Sequence, residues 1–258
     1  MYIISAVLEK GQLKVALYDK EYKILAKKEG SEADLGAAFH GVMSEVGVKP
    51  ADIEYIGIAS DKSVADGIEK HTGIKCYETS IISARALGEA HLSGDVNFLA
   101  ILKVDDTVEC GIVIDKKIYP DVNVAHMVVA FGGYECTCGR RGCFEAYASN
   151  AGLKRISAEA GADTHKELFA MNTPEAENAK KLYVEYLASG IVDVINLFQP
   201  NDMVLDGPFT EVGEALMQPL MEIILREQYT HSMPNKCNVR FASKEVDAAL
   251  LGAALLGR

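Results

Sequence analysis

Apolar residues recur at the two-residue period of a strand over 2–8, 13–18 and 22–28, the first two runs joined by Glu9-Lys10-Gly11-Gln12. Three short strands in succession predict an antiparallel meander. Helical spacing follows at 32–46, then a strand at 54–60, a helix at 63–72, a strand at 74–78 and a helix at 82–92. A second set of strands opens at Phe98, over 98–104 and 107–114, ahead of a loop-rich stretch from Tyr119 to Gly142 that holds Pro120, Gly132, Gly133 and Gly139. The remainder reads as helices at 144–160 and 174–198, a strand at 203–206, a helix at 211–229, a strand at 238–242 and a last helix at 246–257. Strands interleaved with helices predict an α/β chain of mixed sheets with crossover helices. A boundary near residue 95 gives lobes of 1–95 and 96–245, and the weak recurrence of strands, helix, strand in each half predicts two related lobes with a cleft between them. No period of 20–50 residues repeats, which excludes solenoids and propellers.

Composition narrows the class. The 258 residues are 49% hydrophobic and 24% charged, enough for one large or two modest domains with a sizeable core. A net charge of −11 repels phosphate backbones and anionic lipid surfaces, so neither nucleic acid nor membrane is an expected partner. The longest apolar runs, Ala248 to Leu256 and Ile3 to Leu8, fall under half of the roughly 20 residues that span a bilayer. Met1-Tyr2-Ile3-Ile4 has no basic region ahead of its apolar stretch, so no secretory signal is expected and the compartment is cytoplasmic. There, six cysteines are thiols or metal ligands rather than disulfides.

Three of those cysteines cluster. His126, Cys136, Cys138 and Cys143 lie at intervals of ten, two and five residues and together form a tetrahedral donor set for zinc. Gly132, Gly133, Gly139 and Gly142 allow the positive φ angles needed to wrap four ligands around one ion, and Arg140 and Arg141 favour the thiolates. Free buried thiols or a labile disulfide are the alternatives, and neighbouring cysteines separated by one residue make a poor disulfide. Four protein ligands close the site, which predicts a structural zinc. Cys76, Cys110 and Cys237 lie in apolar, strand-like surroundings and read as buried inert thiols. His71, His91, His165 and His231 fall in polar, surface-like segments and His40 in the first long helix, and none is given a role.

The string from His126-Met127 through Cys136-Thr137-Cys138-Gly139-Arg140-Arg141-Gly142-Cys143-Phe144-Glu145-Ala146-Tyr147-Ala148-Ser149 closely resembles the signature of the ROK family of bacterial sugar kinases and sugar-responsive repressors. Ala86-Leu87-Gly88-Glu89-Ala90, Asn196-Leu197-Phe198-Gln199-Pro200 and Asp247-Ala248-Ala249-Leu250-Leu251-Gly252-Ala253-Ala254-Leu255 extend it in the family's order. The resemblance implies a two-lobed, actin-like ATPase (ribonuclease H-like) fold, a last helix (246–258) that packs back on the first lobe, and a homodimer or homotetramer. The family's repressors carry a helix-turn-helix ahead of the core, whereas this sequence opens on the first core strand, so DNA binding is not expected.

Phosphoryl transfer needs backbone that cradles phosphate, a metal-binding carboxylate and a base beside the sugar hydroxyl. The family's first phosphate loop has an Asp, two Gly and a Thr, and the corresponding residues here are Val7, Glu9, Lys10 and Gly11. The second loop, a Gly-Thr-Gly turn, gives way to Asp105-Asp106-Thr107-Val108-Glu109. One carboxylate about 4 Å from a phosphate charge costs about 4 kcal/mol at an effective dielectric of 20. The family's base, the Asp of an Asn-Asp pair, falls on Ile81 beside Ser80, and its later Gly-Gly turn becomes Asp206-Gly207-Pro208-Phe209. Losing the base alone costs about 10²–10⁴ in rate.

For sugar contacts the resemblance points to Asn123, His126 and Glu145, of which the last two keep the family's residue. Glu145 also suits the first turn of any exposed helix. The segment from Ala59 to Gly73 is shorter than the family's sugar-facing loop. Three readings follow: a catalytically degenerate, sugar-binding or regulatory homologue with structural zinc; an active Mg-ATP-dependent hexose or N-acetylhexosamine kinase, glucokinase-like, with Asp61, Asp66 or Glu78 as base; and a scaffold whose cleft is filled by Ile81 and Ile82. The first is favoured.

Overall fold

The computed structural model describes all residues of the chain except Asp95, Asp121 and 228–235. His231, the end of the helix expected at 211–229 and the expected boundary at residue 95 lie outside the described residues. Ten strands and nine α-helices are described: β1 (Tyr2–Glu9), β2 (Gln12–Tyr18), β3 (Ile24–Ser31), α1 (Leu35–Val46), β4 (Ile53–Ser60), α2 (Ala65–Thr72), β5 (Cys76–Thr79), α3 (Ile81–Leu92), β6 (Phe98–Val104), β7 (Val108–Ile114), β8 (Lys117–Ile118), α4 (Glu145–Ala148), α5 (Asn150–Ile156), α6 (His165–Ala170), α7 (Pro174–Phe198), β9 (Asp202–Asp206), α8 (Glu214–Glu227), β10 (Asn238–Phe241) and α9 (Ala248–Ala254).

The strands form two five-stranded sheets, β3-β2-β1-β4-β5 and β10-β9-β6-β7-β8. Counted from its own first strand, each sheet has the same order, 3-2-1-4-5, so the weak recurrence in the sequence is a true duplication of topology. In the first sheet β1, β2 and β3 pair antiparallel as the meander predicts, and β4 and β5 join parallel to β1. The chain divides into two compact units, one of residues 1–97, 111–119 and 243–258 and the other of 98–110 and 120–242.

Within the first unit the two-residue period of β1 separates two jobs. Ile4, Ala6 and Leu8 join Leu13, Val15 and Leu17 in a core shared with Ala38, Phe39 and Val42 of α1. The opposite face, with Val7, meets α9. There the backbones approach so closely that a Cβ on Gly57 of β4 would strike the Ala253 carbonyl, one on Gly88 of α3 the Ala248 carbonyl, and one on Gly252 the Ala84 carbonyl. Tyr55 seals the edge by donating its hydroxyl to the Ala254 carbonyl.

Three expectations need correction. The helix expected at 144–160 is two, α4 and α5, broken at Ser149, whose extended backbone and side chain cap α5 by accepting the Gly152 N–H at 3.3 Å. A short 3₁₀ segment, Pro208–Val212, precedes α8 where one continuous helix is expected. His165 is not a surface residue: it opens α6, a six-residue helix the spacing does not reveal, and is only 2% exposed. Its Nε2 lies 2.7 Å from the Tyr183 hydroxyl, which itself donates to the Ala148 carbonyl, and burial pushes the imidazole's pKa down to about 4.

Candidate metal centre and adjoining site residues

The loop between β8 and α4 is folded by its own backbone. Tyr134–Cys136 turns back on Arg140–Gly142, with the Cys136 N–H donated to the Arg140 carbonyl at 2.9 Å and the Gly142 N–H to the Tyr134 carbonyl at 2.8 Å. Gly139 and Gly142 take positive φ, 84° and 82°, and a side chain at 142 would strike the Ala130 carbonyl. Gly132 is also left-handed at 71°. Gly133 is not, and its lack of a side chain serves instead to admit the Tyr147 hydroxyl.

This fold brings His126, Cys136, Cys138 and Cys143 together, with all four donor atoms within 4.8 Å of one another. Cys138 and Cys143 sulfurs stand 3.7 Å apart, and His126 Nδ1 is 3.5 Å from Cys136 Sγ. Tetrahedral zinc with bonds of about 2.3 Å to sulfur and 2.0–2.1 Å to nitrogen requires edges of about 3.8 and 3.5 Å, so the donor set fits such an ion. The charge balance fits as well. Burial and then the neighbouring Cys138 and Cys136 push the Cys143 thiol up to about 12, whereas Cys138 is held below its ordinary value, first by the Arg140 backbone N–H. Bound as thiolates, three sulfurs this close would need a cation among them. The Arg141 guanidinium pairs with Glu135 at 2.9 Å.

A support layer that sequence reasoning missed lies beneath the loop. Tyr134 stacks on Tyr147 with centroids 4.8 Å apart, Tyr147 packs on Tyr186 of α7 at 3.9 Å, and the Arg155 guanidinium covers Tyr134 at 4.7 Å. The Tyr147 hydroxyl accepts the Tyr134 N–H at 3.0 Å. Only the tyrosines' density around the cysteines could have signalled it.

Glu145, at the start of α4, is half-buried and engaged at both oxygens rather than being an exposed first-turn residue. Oε2 accepts the Val108 N–H and Oε1 the Thr137 hydroxyl, each at 3.2 Å. With Nδ1 of His126 turned to the sulfurs, Nε2 is the nitrogen left for other partners. Asn123 is exposed.

The positions that the resemblance aligns with phosphate loops and base are built as follows. Val7 is 3% exposed within β1, and Lys10 and Gly11, both left-handed, form the two-residue turn that follows it. Glu9 pairs with Arg85 of α3 at 2.9 Å. Ile81 is 2% exposed at the first position of α3, behind Ser80, which caps the helix. In the other unit, the Asn150 side chain donates to Asp105 at 2.8 Å and to Asp106 at 3.0 Å, and its N–H to the Asp105 carbonyl. The break at Ser149 is what aims Asn150 at this turn. Gly207 is left-handed, with φ 136°, and crowded by the Val104 carbonyl, and Pro208 follows. Of the substitute bases, Asp61 and Asp66 are exposed, and Glu78 accepts the Val64 N–H at 2.8 Å and the Ser63 hydroxyl at 3.2 Å.

A family model described as the ROK family matches residues 14–258. The chain belongs to the ROK family. Among ROK relatives, the glucokinase of Thermotoga maritima is 26% identical over 217 residues, covering 74% of this chain and 68% of that protein. The N-acetylmannosamine kinase of Pasteurella multocida is 27% identical over 257 residues, 93% of this chain and 82% of the kinase. A putative xylose repressor of a Caldicellulosiruptor species is 28% identical over 193 residues, 64% of this chain, and the match spans only 48% of the repressor. The ROK hexokinase of Thermus thermophilus superimposes with a TM-score of 0.82 at 22% identity, covering 99% of this chain and 97% of that one. A ROK glucokinase from Streptomyces griseus, solved with glucose and AMPPNP, gives 0.73 at 19% identity with 98% of both chains covered. The fold is thus the actin-like ATPase fold of the ROK kinases. Among the described residues no helix is long and apolar enough to cross a membrane.

Proposed function

We propose that this ROK protein is a catalytically degenerate homologue of the sugar kinases that binds a small sugar, a hexose or N-acetylhexosamine, around a structural zinc. The observation that carries the reading is Ile81, a buried hydrocarbon at the position that aligns with the family's base. Isoleucine neither accepts a proton nor holds a metal. Val7 at the metal carboxylate's position, the acidic turn at Asp105 and Asp106, and Pro208 in the later turn support it from separate segments.

Zinc held by His126, Cys136, Cys138 and Cys143 supplies a cross-link and no open coordination position. It fixes the loop from which Glu145 and His126 Nε2 meet hydroxyls, with Asn123 as a third contact. A homo-oligomer belongs to the same reading. Calorimetric titration with Mg-ATP, with and without a panel of hexoses and N-acetylhexosamines, tests it. Sugar heat without nucleotide heat is the expected result, and micromolar Mg-ATP binding with sugar phosphorylation would establish an active kinase in its place.

A further inference from the structure

A concavity of about 440 Å³ lies in the first unit, remote in sequence from the loop between β8 and α4. Its floor is apolar, formed by Leu87 and Ala90 of α3 and by Leu255 just past α9. Its rim is basic: Lys116 and Lys117 stand at the β7–β8 turn, and Arg258 follows the last helix.

The turn is rigidly specified. Asp115 and Lys116 both take left-handed backbone, φ 49° and 64°, as a two-residue hairpin turn requires, and the Asp115 N–H is donated to the Asn97 carbonyl at 2.7 Å. Among the described residues, none of Lys116, Lys117 and Arg258 has a carboxylate within ion-pairing distance, although the chain carries eleven more acidic than basic residues. The Arg258 guanidinium lies 5.9 Å from the centre of the Tyr22 ring, which meets His91 of α3 edge-on at 5.8 Å. His91 registers the resulting positive potential: burial, then Arg258 and Lys116, hold its pKa below the ordinary value. Opposing charge comes from Asp115 and from the end of α3, worth about half an elementary charge. Among the described side chains lining the cavity, three cations face this one carboxylate.

We infer that this cavity binds a small organic phosphomonoester, its phosphate on Lys116, Lys117 and Arg258 and its body over Leu87, Ala90 and Leu255. Three reasons select that class. A guanidinium and two ammonium groups lining one cavity suit a dianionic phosphate better than a single carboxylate. The apolar floor rewards an organic body over inorganic phosphate. The volume lies within the roughly 300–1,000 Å³ of small-molecule sites. Bound there, the ligand bridges α3, the β7–β8 turn and the residues after α9, and so stabilises the first unit.

The test is calorimetric titration of the full chain with phenyl phosphate, alongside phenol and inorganic phosphate. Phenyl phosphate is expected to bind most tightly, with phenol silent and inorganic phosphate weaker. The double substitution Lys116→Gln with Arg258→Gln, on exposed side chains, is expected to weaken binding at least tenfold at unchanged melting temperature. Glu145→Gln is expected to leave phenyl phosphate binding intact, which separates this cavity from the sugar reading. No heat from phenyl phosphate, or equal binding by the double variant, would overturn the inference.

Discussion

Asp247 and Lys14 join the N-terminus of α9 to the second strand: Lys14 Nζ lies 2.7 Å from Asp247 Oδ2, while Oδ1 of the same carboxylate accepts the Leu250 N–H at 3.2 Å. Burial pushes this carboxyl's pKa up, but the Lys14 hydrogen bond and charge outweigh it and hold the group below its usual value. Its contribution is therefore complete above the ordinary Asp range and lost as pH falls through the lowered value. Asp247→Ala is expected to cost about 1–2 kcal/mol at pH 7, measured by urea unfolding, and the difference from the parent chain should shrink in strong acid.

The metal cluster predicts coupled loss of ion and stability. Cys138→Ala should lower bound zinc, read by elemental analysis, and the melting temperature together, while Cys110→Ala, outside the cluster, should leave zinc content unchanged. A Cys138→Ala protein of full stability without metal would remove the structural role.

His165 gives a pH dependence of its own. The imidazole is neutral when folded and its pKa falls from 6.5 to about 4, so the unfolded chain binds the extra proton between those values and stability declines as pH drops through that window. The full shift corresponds to about 3 kcal/mol. His165→Gln keeps a donor for Tyr183 and removes the titration, so its unfolding free energy, compared at pH 7 and pH 4.5, should fall less than that of the parent.

Ile81→Asp tests the degenerate reading from the opposite side. A carboxylate placed at a position only 2% exposed has no partner prepared for it, so the variant is expected to lose about 3 kcal/mol or more and to gain no sugar-dependent ATP turnover. Turnover in a coupled assay would mean that the remaining machinery is intact.

The order and type of the long elements were legible because their cores are periodic: β1 to β5 and α7 stand where the apolar spacing places them. The grouping of His126, Cys136, Cys138 and Cys143 was legible because local spacing alone nearly fixes a loop. What escaped were features decided by distant partners. Nothing near Ser149 announces that Asn150 must reach Asp105 across more than forty residues, and the polar neighbours of His165 conceal that Tyr183 and Phe209 bury it. Likewise, Gly133 serves Tyr147's hydroxyl rather than a left-handed turn, a distinction that composition does not carry.

The seat of α9 against Gly57 and Gly88 has a consequence for how the protein is made. Residues 243–258 leave the ribosome only after the whole 98–242 stretch, so the part of the first sheet that α9 covers stays open for on the order of ten seconds at ordinary synthesis rates. The later unit thus emerges entire before the earlier one can close, and a nascent chain stalled near Ser243 would present an uncovered apolar sheet to chaperones and proteases.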